Sequence, residues 1–326
     1  MYKDIPIFLQ DFLKYLKTIK GLSDNTVREY YYDLRLYLKY ITYRLHPFDY
    51  SEDDIEEIDI RKMKVKTLDK IGLIDIHSYI SYRDNDLLNS STTRARKISS
   101  LKTFYKYLNG TVNLIDNDPT INLESPKIKK RNPVYLTLAE STKLLQTISE
   151  NKNEFFRKRD FAIVLTFLTT GLRLSELSSM NLDSIKNGQF NVIGKGNKER
   201  IVYMTDACEY AIRDYIKIRP KVDKEDALFL SSRHNRMSNR AIQHMIEKYI
   251  TQAGFDPKLY STHKLRHTAA TLMYKEGVDI RTLQKILGHT SVATTQIYTH
   301  VDDQEMKKAI SSNPLSNINI DIDKKE

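Results

Sequence analysis

Helical periodicity is the feature that most restricts how this 326-residue chain can fold. Apolar side chains return every three or four residues through most of its length, which places them on one face of an α-helix. In the first two predicted helices these faces carry Ile7, Phe8, Phe12, Tyr15 and Leu16, and then Val27, Tyr31, Leu34, Leu38 and Ile41. The pattern predicts a mainly α fold in which each helix buries one side.

The first 110 residues are predicted to form a domain of four helices. They cover residues 6–20, 23–43, 73–83 and 91–108, and Ser23 is placed to cap the second one. The fourth helix turns Ala95, Ile98, Leu101, Phe104, Tyr105 and Leu108 inward and ends at Asn109-Gly110. Residues 51–60 hold six acidic side chains and no basic one, so we expect an exposed connection there.

A basic linker is predicted over residues 111–135. Helical periodicity is lost there, and Pro119, Pro126 and the run Lys127-Ile128-Lys129-Lys130-Arg131 follow one another. Between Ser91 and Arg131 the chain holds nine Lys or Arg and three Asp or Glu, so a basic helix continues into a basic linker. Such a surface suits a phosphate backbone, although a run of like charges is more often simply solvated.

The second domain is predicted over residues 136–312, followed by a polar tail over 313–326. Most of it has helical periodicity, and the apolar run Phe161–Leu172 predicts a buried helix. Segments 189–193 and 200–204 alternate instead like strands around Gly194-Lys195-Gly196-Asn197, where glycines allow a hairpin turn. The predicted fold class is therefore mainly α with a small antiparallel β-sheet (α+β), in two domains.

The total charge indicates a polyanionic partner. The formal net charge is +10 and the isoelectric point is about 9.3. A merely basic surface would give the same total, but the clustering of basic residues on the fourth helix and the linker favours a partner with a phosphate backbone.

Cysteine content and the apolar runs indicate the compartment. Cys208 is the only cysteine, so no internal disulfide can form and a cysteine-rich zinc site is excluded. Residues 1–6 lack the shape of a signal peptide, and the longest apolar run is far shorter than a membrane span. We therefore expect a protein of the reducing cytoplasm.

Six polar side chains in the second domain have the types needed to break a phosphodiester without a metal ion. They are Arg173, Lys195, His263, Arg266, His289 and Tyr298. Tyrosine supplies a nucleophile, arginine a permanent charge for phosphate oxygens, and lysine or histidine a route for protons. Each has an ordinary alternative: a packing tyrosine or histidine, an exposed turn lysine, or an arginine paired with a carboxylate such as Glu176.

Around these side chains the sequence resembles the phage-integrase-like tyrosine recombinases, and within that family the Xer-type site-specific recombinases most closely. The motifs that carry the resemblance are Thr170-Gly171-Leu172-Arg173-Leu174-Ser175-Glu176-Leu177, Gly194-Lys195-Gly196-Asn197-Lys198-Glu199-Arg200, Thr262-His263-Lys264-Leu265-Arg266-His267-Thr268, Leu287-Gly288-His289 and Thr294-Thr295-Gln296-Ile297-Tyr298-Thr299-His300. It extends over nearly the whole chain, and Leu22-Ser23-Asp24-Asn25-Thr26 belongs to it.

The resemblance implies a role for each of the six side chains. Tyr298 would be the nucleophile, and Lys195 would be the general acid. Arg173 and Arg266 would hold the phosphate. His263 would assist removal of the tyrosine proton, and His289 would donate a hydrogen bond to the phosphate.

The resemblance also implies an architecture and a reaction. A helical, SAM-like core-binding domain and a catalytic domain would close on double-stranded DNA as a C-clamp. The residues expected to meet DNA in the first domain are Arg28, Arg35, Arg94, Lys97 and Lys102. A homo- or hetero-tetramer on paired DNA sites, alone or with a paralogous recombinase, would exchange strands through 3′-phosphotyrosyl bonds and a Holliday junction. Neither a cofactor nor a metal ion is implied, and residues 302–310 would dock on a neighbouring subunit.

Several alternatives stay open at this point. A type IB topoisomerase uses a similar set of Arg, Lys, His and Tyr to relax DNA, and a DNA-binding regulator could retain the residues without catalysis. His263 and His267 have the i, i+4 spacing of metal ligands, although no acidic residue completes a zinc site. Among recombination roles, the Xer likeness favours chromosome dimer resolution, and integration or excision of a mobile element is the alternative.

Overall fold

The computed structural model describes residues 2–84, 90–126, 134–186, 188–193, 199–223, 225–288 and 295, with the backbone alone at 83, 84, 186 and 193. The chain divides into two compact units, Met1–Lys130 and Arg131–Glu326. We refer to them as the N-terminal and the C-terminal unit. Within the described ranges, no helix has the length and apolar character needed to cross a membrane.

Helices build the N-terminal unit. They are α1 Ile7–Thr18, α2 Asp24–Leu45, α3 Leu73–Asp84 and α4 Ser91–Lys106, which continues into a π-helical turn at Tyr107–Thr111. Helix α2 begins where the sequence predicts, because the Ser23 Oγ accepts a hydrogen bond from the Thr26 N–H. The predicted α-helical character of this unit is confirmed.

Aromatic side chains fill the centre of the N-terminal unit. Phe12 of α1 packs edge-on against Phe104 of α4, with 5.2 Å between the ring centroids. Tyr37 of α2 and Tyr105 of α4 are both buried, and their hydroxyl oxygens lie 2.7 Å apart in a hydrogen bond. This bond satisfies two polar groups that burial removes from water, and it ties α2 to α4.

The acidic stretch 51–60 is not the wholly exposed connection that its charge predicts. A 3-10 turn at Glu52–Glu57 leaves its carboxylates in solvent, but Ile55, Ile58 and Ile60 are buried in the core. Lys39 of α2 is also buried, and its Nζ donates to the carbonyl of Glu56. The expected exposure holds for the six acidic side chains and fails for the three isoleucines, which anchor the short turn in the core.

Residues 111–126, which the sequence assigns to the linker, are part of the N-terminal unit and pack on its helices. Ile115 and Leu123 are each 2% exposed and belong to its core. The Lys66 Nζ lies 2.9 Å from the Asp116 carboxylate. The basic run at 127–131 lies outside the described residues, and the domain limits at 110 and 135 stay predictions.

The C-terminal unit is helical around one small sheet. Its helices are α5 Leu138–Ser149, α6 Glu154–Thr170, α7 Leu174–Ser178, α8 Asp206–Ile218, α9 Asn239–Gln252, α10 Thr262–Lys275 and α11 Ile280–Leu287. The strands are β1 Ile185–Lys186, β2 Gln189–Ile193 and β3 Glu199–Tyr203. This confirms the predicted fold class, mainly α with a small antiparallel sheet.

The sheet has the strand order β1-β2-β3 and is antiparallel throughout. In the predicted pair, Gln189 lies opposite Tyr203 and Ile193 lies opposite Glu199. Strand β1 was not predicted, because two residues are too few to show alternation. The turn 194–198 between β2 and β3 lies outside the described residues.

Helix α6 forms the centre of the C-terminal unit, as its apolar run predicts. Ala162, Ile163, Val164 and Phe167 are fully buried. The helix ends at Gly171, whose φ of 63° is in the left-handed region that favours glycine. A Cβ at Gly171 would lie 2.8 Å from the Leu287 Cδ2, so α11 packs directly against the end of α6.

Candidate active site

Arg173 is held in place at the start of α7. Its side chain donates from Nη1 to the Glu176 Oε1 at 2.9 Å and from Nη2 to the Gly288 carbonyl at 2.8 Å. Its backbone N–H donates to the Glu176 Oε2 at 2.8 Å, so one carboxylate fixes both the main chain and the guanidinium. The Arg173 side chain remains 29% exposed, which leaves part of it accessible to a ligand.

Arg266 of α10 also binds at the end of α11. Its Nη1 donates to the Gly171 carbonyl and its Nη2 to the Leu287 carbonyl, each at 2.6 Å. The residue is 6% exposed. Arg173 and Arg266 therefore bind the consecutive carbonyls of Gly288 and Leu287, and the fold brings two predicted phosphate-holding residues together at the end of α11.

Glu176 is the carboxylate at the centre of this arrangement. It is 3% exposed and is shared by Arg173 and Arg200 of β3, whose Nη1 and Nη2 donate to its two oxygens at 2.6 and 2.8 Å. Burial alone would raise the pKa of Glu176, but the hydrogen bonds from Arg200 and Arg173 lower it below its ordinary value. Glu176 is therefore an anion held between two cations.

Arg200 is not among the six catalytic residues predicted from the sequence. It closes the second quoted motif, but its partners are 24 and 86 positions away in the chain. The Arg200 Nε also donates to the Ile286 carbonyl at 3.2 Å. Only the position of Arg200 in a motif shared with Lys195 hinted at its importance.

Gly288 allows this packing. It ends α11 with a φ of 62°, and a Cβ there would lie 2.9 Å from the Arg200 Nη1. A side chain at this position would be strained by the backbone and would press on the guanidinium. The close contact with Arg200 therefore explains why glycine occupies the position before His289.

The two histidines of α10 differ in their surroundings. His263 is exposed in the first turn of the helix, three residues before Arg266 and thus on a neighbouring part of the same face. Burial, followed by the nearby charges of Lys264, His263 and Arg266, lowers the pKa of His267 to about 4. His267 is therefore neutral near pH 7.

Half of the predicted catalytic set falls outside the described residues: Lys195, His289 and Tyr298. The chain runs from Gly288 directly into His289, and Thr295, three positions before Tyr298, is fully buried. Among the residues that the structure describes, no three His, Cys, Asp or Glu side chains cluster as metal ligands.

The predicted DNA contacts of the N-terminal unit lie on α2 and α4. Arg28 is exposed and donates to the Asn25 Oδ1 at 3.1 Å, whereas the Arg35 Nε donates to Asp4 at 2.7 Å. Burial would raise the pKa of Asp4, but hydrogen bonds from Tyr31 and Arg35 lower it, so Arg35 is held by an ionised carboxylate. The α4 residues Arg94, Lys97 and Lys102 are partly exposed.

Comparison with known proteins decides the family. Residues 135–305 match the model described as the phage integrase family, and residues 9–63 match the phage integrase N-terminal SAM-like domain. The first match spans Arg173, Glu176, Arg200 and Arg266, which the structure brings together. The chain belongs to the phage integrase family. Its relatives make it an Xer-like tyrosine recombinase.

Similar proteins from several bacteria are named as Xer tyrosine recombinases. Tyrosine recombinase XerC of Caldanaerobacter subterraneus is 48% identical over 316 residues, which cover 95% of this chain and 88% of the relative. Tyrosine recombinase XerD of Oceanobacillus iheyensis is 32% identical over 311 residues, covering 93% and 97%. Both XerC and XerD proteins are thus similar to this chain.

Solved structures agree with the fold. The crystal structure of XerA recombinase is 32% identical, covers 93% of this chain and 96% of its own, and has a TM-score of 0.50. XerH site-specific recombinase bound to palindromic difH substrate is 22% identical, with coverages of 95% and 97% and a TM-score of 0.68. At that identity the second likeness concerns the fold alone.

Proposed function

We propose that this tyrosine recombinase cuts and rejoins double-stranded DNA at a specific site, with Tyr298 as nucleophile. The observation that carries the proposal is the joint anchoring of Arg173 and Arg266 on the last carbonyls of α11. From that point the chain continues to His289 and Tyr298. Two guanidinium groups at one place provide permanent positive charge for a phosphate whose oxygens gain charge during attack.

The proposed reaction needs no metal ion, because protein side chains accept and donate the protons. The Tyr298 phenol loses its proton with help from His263, and its oxygen forms a bond to phosphorus. The bond from phosphorus to the 5′ oxygen breaks, and Lys195 gives that oxygen a proton. The product is a 3′-phosphotyrosyl ester and a free 5′-hydroxyl, and attack by a 5′-hydroxyl of a partner strand reverses the step.

Strand exchange requires more than one subunit. We propose a homo- or hetero-tetramer on two paired DNA sites, in which the N-terminal and the C-terminal unit of each subunit both bind DNA. The similarity to both XerC and XerD proteins supports a partnership with a paralogous recombinase. The residues proposed to meet DNA in the N-terminal unit are Arg28, Arg35, Arg94, Lys97 and Lys102.

The biological role that this family likeness supports is resolution of chromosome dimers in the cytoplasm. The alternative of a type IB topoisomerase is not favoured, because the relatives over most of the chain are Xer recombinases. Integration or excision of a mobile element would use the same chemistry. A map of the chromosomal positions at which the protein becomes covalently attached would separate a single chromosomal site from the ends of an element.

The nucleophile is tested by Tyr298→Phe, which removes one oxygen. We expect the variant to bind the mapped target duplex with an affinity close to that of the wild type and to form no covalent adduct with a nicked form of it. Denaturing electrophoresis of labelled DNA measures the adduct. Tyr274→Phe, a change on the partly exposed Tyr274 of α10, serves as the control and should leave the adduct intact. An adduct that persists in Tyr298→Phe would show that another residue attacks.

A further inference from the structure

Arg200 and Arg173 share one buried carboxylate, and the geometry of this triad suggests a function for Arg200. Resting on the proposed function, we propose that Arg200 is a positioning residue: it engages Glu176 so that this carboxylate orients Arg173 without neutralising it. The same contacts join β3, the start of α7 and the end of α11. Arg200 itself need not touch DNA for this role.

All three guanidinium nitrogens of Arg200 donate hydrogen bonds. Nη1 and Nη2 hold the two oxygens of Glu176 at 2.6 and 2.8 Å, and Nε holds the Ile286 carbonyl at 3.2 Å. Arg173 contacts the same carboxylate with a single side-chain hydrogen bond, at 2.9 Å from Oε1. The guanidinium of Arg200 therefore holds both carboxylate oxygens of Glu176, whereas the guanidinium of Arg173 holds one.

The charges explain why this matters for a phosphate. Glu176 carries one negative charge, and Arg173 and Arg200 carry one positive charge each, so the triad has a net charge of +1. Without Arg200 the pair Arg173–Glu176 would be neutral, and the carboxylate would be free to take both prongs of Arg173. At 2% exposure of the Glu176 side chain, little solvent is present to weaken that attraction.

Exposure assigns different tasks to the two arginines. The Arg200 side chain is 14% exposed and the Arg173 side chain is 29% exposed. Gly288 lies against the Arg200 guanidinium so closely that a Cβ would be 2.9 Å from Nη1. Arg200 is thus covered by the end of α11, whereas Arg173 retains open surface for a ligand.

Arg200 also links parts of the chain that carry other predicted catalytic residues. It lies on β3, five positions after Lys195, and it contacts the last turn of α11, which leads to His289. One side chain therefore ties the strand that follows the predicted general acid to the helix end where Arg173 and Arg266 meet. A shift of such elements by about 1 Å can lower a reaction rate by about a hundredfold.

The test compares Arg200→Gln with the double variant Glu176→Gln/Arg200→Gln in the full-length protein. The probe is a nicked duplex that carries the DNA found covalently attached in cells, and the rate of adduct formation is measured in a single turnover. We expect Arg200→Gln to lower this rate by about a hundredfold while affinity for the intact duplex changes by less than about threefold. Removing the charge of Glu176 as well should restore the rate by at least about tenfold.

Arg213→Gln is the matched control, because Arg213 forms an exposed pair with Glu209 on α8 of the same unit. It should react at the wild-type rate. Arg200→Lys keeps the charge and loses the two-pronged contact, so its rate should lie between those of the wild type and Arg200→Gln. It also provides a readout if circular dichroism shows that Arg200→Gln is unfolded.

Two results would overturn the inference: wild-type rates in Arg200→Gln and Arg200→Lys, or a double variant no faster than Arg200→Gln. The second result would reduce Arg200 to a structural link, since a loss of packing is not repaired by a further loss of contacts. Absence of an adduct with the wild-type protein would instead refute the proposed function.

Discussion

Glu176 shows at the scale of a single residue how this fold keeps a charge inside. Its carboxylate is almost fully removed from water, which by itself favours the protonated form. Two guanidinium groups and the backbone N–H of Arg173 replace the lost hydration with hydrogen bonds between 2.6 and 2.9 Å. The Glu176 carboxylate thus orients the guanidinium groups of Arg173 and Arg200. Each guanidinium also donates to a main-chain carbonyl, that of Gly288 or of Ile286.

His267 predicts a dependence of stability on pH. Its pKa is about 4 in the fold and 6.5 ordinarily, so between these values the unfolded chain binds a proton that the folded chain does not. The free energy of unfolding should therefore fall as the pH decreases from 6.5 to 4. The decrease is at most roughly 3 kcal/mol, and less to the extent that solvent screens the partly exposed ring.

Chemical denaturation at a series of pH values measures this effect. The variant His267→Gln should show a flatter dependence in that window than the wild type. His244→Gln, at an exposed position on α9, should retain the wild-type slope. Identical slopes in all three proteins would mean that His267 is protonated in the fold as readily as in the unfolded chain.

At the scale of secondary-structure elements, the local sequence predicts best where a helix begins. Side chains of Ser23, Ser90, Thr137, Asn153, Thr205, Ser238 and Asp279 each accept a hydrogen bond from a backbone N–H in the first turn that follows. A cap acts over three or four residues and needs no distant partner, so it can be recognised in the sequence. Burial of Ile55, Ile58 and Ile60 and the strand β1 depended on distant packing, and these were not predicted.

The capping box of α5 predicts a measurable cost for one substitution. The Thr137 Oγ1 accepts from the Glu140 N–H at 3.2 Å, and the Glu140 carboxylate accepts from the Thr137 N–H at 2.7 Å. Thr137→Ala should lower the free energy of unfolding by about 1 kcal/mol. The exposed Thr142, in the middle of the same helix, is the control, and Thr142→Ala should change it by less than about 0.5 kcal/mol. Equal effects in urea denaturation would argue against the cap.

At the scale of the molecule, a net charge of +10 predicts DNA binding that depends strongly on salt. Each phosphate neutralised by Lys or Arg releases counterions, so the logarithm of the association constant should fall linearly with the logarithm of salt concentration. Fluorescence anisotropy with the target duplex measures the slope. A slope near zero would contradict a grip on the phosphate backbone.

Lys102→Gln refines this prediction to one position. If Lys102 of α4 meets a phosphate, its loss should reduce the salt slope by about one and weaken binding to all sequences alike. Lys14 of α1, exposed and 3.3 Å from Asp11, offers a control outside the predicted surface. Lys14→Gln should leave the slope unchanged, and an equal change in both variants would mean that general charge, rather than a defined surface, binds the DNA.

The amino-acid sequence by itself determined the helical class, the pair of strands, the helix starts of the N-terminal unit and the family, because periodicity, caps and short motifs are local properties. It also pointed to Arg173 and Arg266. Only the tertiary structure decided that these two arginines anchor on consecutive carbonyls, that Glu176 serves two cations, and that Arg200 is the second of them. Partners 24 to 115 residues apart leave no periodic trace in a sequence, since their meeting depends on how α6, α7, β3, α10 and α11 pack.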